Sequence, residues 1–229
     1  MSVLPRRFQR IKNVLNSRMG DLTVLIEGVN KPHNLSAILR SCDAVGILNA
    51  HIICGQNQTP TFNSTAQGSQ KWVRLSEHKN IEYASKELKE KGFKLFGTCL
   101  DRNAKDYREC DFTGPSSFVL GSEKWGLSDC AKEHIDESIY IPMRGMVQSL
   151  NVSVATAILL LEAVRQRELA GLIPEEGEGL ESSDYNNLLV EWAYPDVANW
   201  CKAEGRKYPS LNEKGEILED LPRSLKIHC

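Results

Sequence analysis

Apolar residues along the chain fall into two patterns: short continuous runs, and longer stretches at three- and four-residue spacing. The short runs predict strands at Leu22–Glu27, His51–Cys54, Trp72–Leu75, Lys94–Leu100, Ser117–Gly121 and Ser138–Pro142. Between them, Leu35–Val45, Ile81–Lys91 and the shorter Asp129–His134 carry the helical spacing. Ahead of the first strand, Phe8, Ile11 and Leu15 make residues 3–18 an amphipathic helix. Strands this short, separated by helices, imply an α/β fold: a mostly parallel sheet with helices on both faces. Asn151–Arg167 reads as a long final helix, apolar nearly all round at its start, so its first turns are expected to be buried. Gly171–Ser183, rich in Gly and Glu and containing Pro174, reads as a linker to short helices around Tyr185–Trp192 and Pro195–Ala203. The expected organisation is a basic helical arm over residues 1–20, an α/β core over 21–170 and an extension over 171–229.

Composition narrows the class. With 41% hydrophobic and 25% charged residues in 229, the chain has the makings of an ordinary globular core. No apolar run reaches membrane-spanning length, and MSVLPRRFQRIK lacks the apolar stretch of a signal peptide. A cytoplasmic protein with no membrane partner is expected. Cys42, Cys54, Cys99, Cys110, Cys130, Cys201 and Cys229 are scattered without a C-x-x-C pair, and the histidines are not at zinc-ligand spacing. They read as reduced thiols, and no metal is expected. The net charge of −2 hides a segregation. Arg6, Arg7, Arg10, Lys12 and Arg18 precede any acid, whereas Glu175, Glu176, Glu178, Glu181 and Asp184 cluster late. That leaves room for an anionic partner, although a charge run is more often a solvated face.

Several chemistries lose their support. The single G-x-G, Gly177-Glu178-Gly179, lies in the acidic linker after no strand, where a dinucleotide fingerprint has no meaning. There is no P-loop, no G-x-S-x-G elbow and no H-E-x-x-H.

Three polar segments remain, each at the edge of an apolar run. In Asn30–Asp43, Leu35, Ile38, Leu39 and Cys42 form a buried stripe, Arg40 falls on another face, and Asn34 sits where an N-cap would. The plain alternative is a capped helix with an Arg40–Asp43 pair. In Phe118–Leu127 a strand enters a turn bounded by Gly121 and Gly126, with Glu123 at the strand's carboxyl end. Such glycines let backbone approach a ligand, or simply close an ordinary connection. In Ile139–Ala155, Gln148, Ser149, Asn151 and Ser153 crowd the entrance of an apolar helix, where Ser149 or Asn151 also suits an N-cap. The small residues Ser153–Ala157 call for a close-packed neighbour, from the same chain or another.

Taken together and in this order, N-x-x-x-x-x-R, L-G-S-E-K-W-G-L and I-P-M-x-G-M-V-Q-S-L-N-V-S-V-A resemble the three motifs of the SpoU/TrmH-type RNA ribose methyltransferases of the SPOUT superfamily. The likeness spans essentially the whole chain, and Lys124 stands where the family often has glycine. It implies a C-terminal trefoil knot, a homodimer, and S-adenosylmethionine (S-adenosyl-L-methionine) as cofactor. By the same likeness, Thr98, Leu100, Gly121, Ile141, Ser149 and Leu150 hold that cofactor.

The resemblance also implies that Arg40 manages the proton of a ribose 2′-hydroxyl while Asn34, Glu123, Ser149 and Asn151 arrange substrate or loops. A guanidinium keeps its proton above pH 12, so a base role is foreign to it. Either a substrate phosphate beside Arg40 takes part in the transfer, or Arg40 stabilises the developing alkoxide. With room for only one helix before the first motif, the layout is similar to that of the members that methylate the D-loop guanosine at tRNA position 18. Arg7, Arg10, Arg18, His33, Arg165 and Arg167 are the expected RNA phosphate contacts. The alternatives are an rRNA 2′-O-methyltransferase of the same fold, and a non-catalytic RNA-binding or chaperone module that kept it.

Overall fold

A computed structural model describes residues 3–54, 71–175 and 177–222; Glu176 and Cys229, singled out above, lie outside the described residues. The elements run α1 (Pro5–Asn16), β1 (Leu22–Ile26), α2 (Pro32–Ala44), β2 (Asn49–Ile53), β3 (Arg74–His78), α3 (Ile81–Glu90), β4 (Lys94–Thr98), β5 (Lys105–Asp106), β6 (Ser116–Leu120), α4 (Asp129–His134), β7 (Glu137–Tyr140), α5 (Val152–Leu169), α6 (Ser182–Ala193) and α7 (Pro195–Ala203). The strands form one 7-stranded sheet in the order β3-β2-β1-β6-β4-β7-β5, every pairing parallel.

Residues up to Arg18 group with those from Pro174 onward as one compact unit, and Met19–Ile173 form another. Sequence reading separates the two terminal segments; the structure joins them. Within their unit, the Tyr185 hydroxyl donates to Asn16 Oδ1 at 2.6 Å, and the Tyr194 hydroxyl to the Gly215 carbonyl at 2.6 Å. Gly215 has φ +82° and lies so near the Phe8 ring that a Cβ there would stand 2.6 Å from it.

In the larger unit the middle of the sheet is buried on both sides, as parallel sheets are. Alternation along β1 divides the core. Val24 and Ile26 pack with Phe96, Phe118, Leu120, the α2 stripe Leu35, Ile38 and Leu39, and Leu159, Leu160 and Ala163 of α5. Leu25, Leu95 and Val119 pack on the other face against Ile81, Ala84 and Leu88 of α3 and Ala131 of α4.

Four expectations change. The third strand is Arg74–His78, later than the predicted Trp72–Leu75, because an edge strand with sequence RLSEH has no apolar run to mark it. The helix holding Asn34 starts at Pro32, with Lys31 in the N-cap position, so Asn34 sits inside the first turn and caps nothing; proline's fixed φ suits that opening position. The first turn of α5 is only partly covered, with Val154 47% exposed, and Leu161 two turns on is 60% exposed.

The fourth concerns two arginines expected to meet RNA. Arg18 is fully buried, its guanidinium 5.4 Å from the centre of the Trp192 ring. Arg167 is 1% exposed. It donates to Asp21 Oδ1 at 2.6 Å and to the carbonyls of Phe112 at 3.0 Å and Gly114 at 2.8 Å, fastening α5 to two loops. Neither reaches a phosphate.

Candidate active site

The carboxyl ends of β4, β6 and β7 open on a cavity of about 440 Å³, the edge at which open α/β sheets take ligands. Thr98 and Leu100 follow β4, Leu120 and Gly121 close β6, Tyr140 and Ile141 close β7, and Ser149 and Leu150 approach from the entrance of α5. All the residues expected to hold a cofactor line this cavity.

The loop after β6 is shaped by its glycines. A Cβ on Gly121 would stand 2.1 Å from the Gly126 carbonyl carbon and 2.3 Å from its oxygen. Only glycine lets the loop fold back there. Gly126 has φ +67°, a left-handed conformation. Ser122 N–H donates to the Gly126 carbonyl at 3.0 Å and Gly126 N–H to the Ser122 carbonyl at 2.9 Å, closing a turn that carries Glu123, Lys124 and Trp125. Beyond it, Ser128 donates to the Glu27 carboxylate from its N–H at 3.0 Å and its hydroxyl at 2.7 Å, tying the loop to the end of β1.

The three polar segments meet here. Asn34, 3% exposed, donates its side-chain amide to Glu123 Oε1. Asn151 N-caps α5, its Oδ1 accepting from Ser153 N–H at 2.8 Å, while its Nδ2 donates to Asn34 Oδ1 at 3.2 Å. The result is a chain, Asn151 to Asn34 to Glu123, at the rim of the cavity. Ser149 lines the cavity beside it.

Arg40 does not join them. It is exposed, does not line the cavity, and its guanidinium has no hydrogen-bond or ionic partner among the described residues, Asp43 included. Six residues of α-helix separate it from Asn34, about 9 Å along the axis and two-thirds of a turn round it. Arg7, Arg10 and His33 are exposed. Arg165 is exposed too, but its guanidinium is engaged by Glu162 at 2.8 and 2.7 Å.

Sequence reasoning missed Glu27, Asp101, Lys124 and Trp125. Glu27 shows only as a carboxylate ending an apolar strand; Lys124 and Trp125 show as bulky residues inside a glycine-bounded turn. Asp101 lines the cavity and accepts from the Ser138 hydroxyl at 2.7 Å and the Cys99 thiol at 3.3 Å, and these bonds, the hydroxyl's first, hold its carboxyl below the ordinary range. Burial pushes the Cys99 thiol up. At neutral pH the cavity therefore presents a carboxylate and a protonated thiol, which is no thiolate nucleophile.

The SpoU rRNA Methylase family matches residues 21–161, and the SpoU rRNA methylase C-terminal family matches residues 165–220. The chain is 51% identical over 186 residues to a tRNA (guanosine(18)-2'-O)-methyltransferase of Thermus thermophilus, covering 81% of this chain and 95% of that one. Against the Escherichia coli protein of the same description the identity is 44%, with 94% of each covered. Among solved structures it is similar to the A. aeolicus TrmH/SpoU tRNA modifying enzyme, with TM-score 0.77 and 40% identity over 84% of this chain and 97% of that one. It is also similar to the SpoU methyltransferase AviRb of Streptomyces viridochromogenes in complex with the cofactor AdoMet, with TM-score 0.59 and 27% identity over 68% and 61%.

Proposed function

The chain belongs to the SpoU rRNA methylase family, and on that premise we propose that it methylates the ribose 2′-hydroxyl of the D-loop guanosine at tRNA position 18, using S-adenosylmethionine. The observation that carries this reading is the Asn151–Asn34–Glu123 chain at the rim of the sheet-edge cavity. A binding module has no need of a buried asparagine clamped between a carboxylate and a helix cap.

The cavity suits the cofactor. Its volume lies in the usual range for small-molecule sites. Aliphatic side chains such as Leu100, Leu120, Ile139, Ile141 and Leu159 line it beside the polar Thr98, Asp101 and Ser149, and a side chain at Gly121 would collide with the turn that forms one wall. Thr98, Leu100, Gly121, Ile141, Ser149 and Leu150 are the residues that would hold it. When bound it supplies a methyl group on a sulfonium, open to displacement by an oxygen nucleophile.

The protein's share of the work is alignment and the handling of one proton. Asn34 fixes one oxygen of Glu123, leaving Glu123 Oε2 to accept from a substrate hydroxyl. Asn151 fixes Asn34 in turn. A guanidinium is a cation and not a base, so Arg40 serves by gripping a substrate phosphate near the reacting oxygen and by offsetting alkoxide charge. Because Arg40 stands apart from its own chain's cavity, we infer that it completes the cavity of a second copy in a homodimer. The exposed Val154 and Leu161 on α5 give such a dimer an apolar stripe. A trefoil knot is supported by β7, which enters the sheet between the earlier strands β4 and β5. Arg7, Arg10, His33 and Arg165 remain the proposed phosphate contacts. A tRNA substrate supports the expected cytoplasmic localisation.

The test is methylation of total tRNA from a strain lacking the gene, with the modified ribose mapped by mass spectrometry. The expected product is 2′-O-methylguanosine at position 18. Methylation confined to ribosomal RNA overturns the substrate, and no methylation with no cofactor binding by calorimetry overturns the enzyme.

A further inference from the structure

Trp125 is 77% exposed at the edge of the catalytic cavity. An isolated exposed apolar residue on a surface needs no explanation. This one differs in how it is held. It sits near the tip of the turn closed by the paired Ser122 and Gly126 bonds, and its own N–H donates to Ser122 Oγ at 3.1 Å. The turn is locked below by Gly121 and beyond by the Ser128–Glu27 bonds. A rigid mount therefore presents an indole two residues from Glu123. Lys124 Nζ lies 4.5 Å from the ring centre, and the indole remains largely exposed.

We propose that Trp125 stacks on the base of the nucleotide whose ribose is methylated, with Lys124 paired to that nucleotide's phosphate. The inference rests on the RNA-methylating reading of this cavity and extends it to how the target nucleotide is gripped. A single exposed nucleotide offers three handles: hydroxyl, base and phosphate. Asn34 and Glu123 address the first, and neither has an aromatic face for the second. Indole is a good stacking surface for a base, and a lysine ammonium suits a phosphate as a point charge. Stacking tolerates any base, so Trp125 adds grip and orientation rather than base identity.

The experiment uses the full-length protein and synthetic tRNA carrying either guanosine or a ribo-abasic unit at the methylated position. The parent enzyme is measured first: failure to methylate the guanosine tRNA ends the functional reading, and this inference with it, before any variant is made. Trp125→Ala should raise KM for tRNA roughly ten- to a hundredfold, and Trp125→Phe should recover most of that. The abasic tRNA should weaken binding to the parent by a similar factor and to Trp125→Ala by little more, since both changes remove one contact. Cofactor affinity by calorimetry and dimer sedimentation should stay at parent values for both variants. A KM for Trp125→Ala within twofold of the parent overturns the proposal, as do losses that multiply on the abasic tRNA. Dissociated subunits in Trp125→Ala also overturn it, because they assign the indole to a contact between copies.

Discussion

Asn34 donates its side-chain amide to the Glu123 carboxylate across 89 positions of sequence, and it does so from a site 3% exposed. That bond joins the first turn of α2 to the loop after β6, and its geometry depends on an amide being present. Asn34→Asp would set two carboxylates against each other, so that they share one proton and the pair titrates upward. We expect kcat/KM at pH 8 to fall on the order of 100-fold and to recover partly as pH is lowered. Asn34→Ala should lose as much without that recovery. Parallel pH profiles for the two variants would refute the coupling.

A second buried pair lies away from the cavity. His51 Nδ1 and His78 Nε2 are 2.8 Å apart between β2 and β3, with the rings at 5.0 Å and Glu87 3.7 Å from the far nitrogen of His78. Lys91 faces the cluster through Glu87, and Tyr83 stands near His78. Burial first, then the charge of His78, lowers His51 from 6.5 to about 4, against a smaller upward pull from Glu87. Burial also lowers His78. The unfolded chain then binds more protons than the folded one between those limits. The stability from neutral His51 is whole above pH 6.5 and is lost as pH falls to about 4, by about 3 kcal/mol. Urea melts at pH 7 and pH 4.5 should show the loss, and His51→Gln should reduce it. Equal losses in both proteins would rule out this pair as the source.

Buried Arg167 and the exposed arginines of α1 should fail in different assays. Arg167→Ala leaves the Asp21 carboxylate and three carbonyls without their donor and should cost roughly 3–5 kcal/mol of stability. Arg10→Ala, on an exposed helix face, should hold stability within about 0.5 kcal/mol, and Arg7→Ala loses besides only a long 3.4 Å bond to the Trp192 carbonyl. Each should weaken tRNA binding and flatten its log–log salt dependence by about one. Thermal melts and filter binding at several salt concentrations separate the two kinds of arginine. A salt slope unchanged in Arg10→Ala would remove α1 from the RNA surface.

What the sequence displayed, and what it hid, follow one physical division. The central strands β1, β4 and β6 are buried on both faces, so their apolar runs stand out within a residue or two. The edge strand Arg74–His78 has no such run, and the two-residue β5 is too short for any pattern. Local chemistry was legible where the partner is near in sequence, as with Asn151 capping α5 through Ser153. It misled where the partner is distant. Asn34 has the residue type of a cap but bonds to Glu123, and Arg167 looks like a solvated cation in a polar last turn but binds residues more than fifty positions away. Trp125 shows in the sequence only as a bulky turn residue, because its exposure is set by the closure of the Ser122–Gly126 turn, which no periodicity reports.

The position of Arg40 makes the strongest demand on the assembly. In its own chain it stands about 9 Å along α2 from Asn34 and on another face, so two lesions in different copies should complement. Arg40→Ala and Asn34→Ala homodimers should each lose nearly all turnover, with cofactor affinity in Arg40→Ala unchanged. In a mixed dimer, one cavity pairs an intact Asn34 with the other copy's intact Arg40, and the second cavity carries both lesions. Tagged mixed dimers should therefore recover about half of the parent's turnover per dimer, and a randomly mixed population about a quarter, by simple segregation. If each cavity instead used its own Arg40, every cavity in the mixture would carry one lesion. Mixing would then restore nothing, and the second copy would have no part in the chemistry.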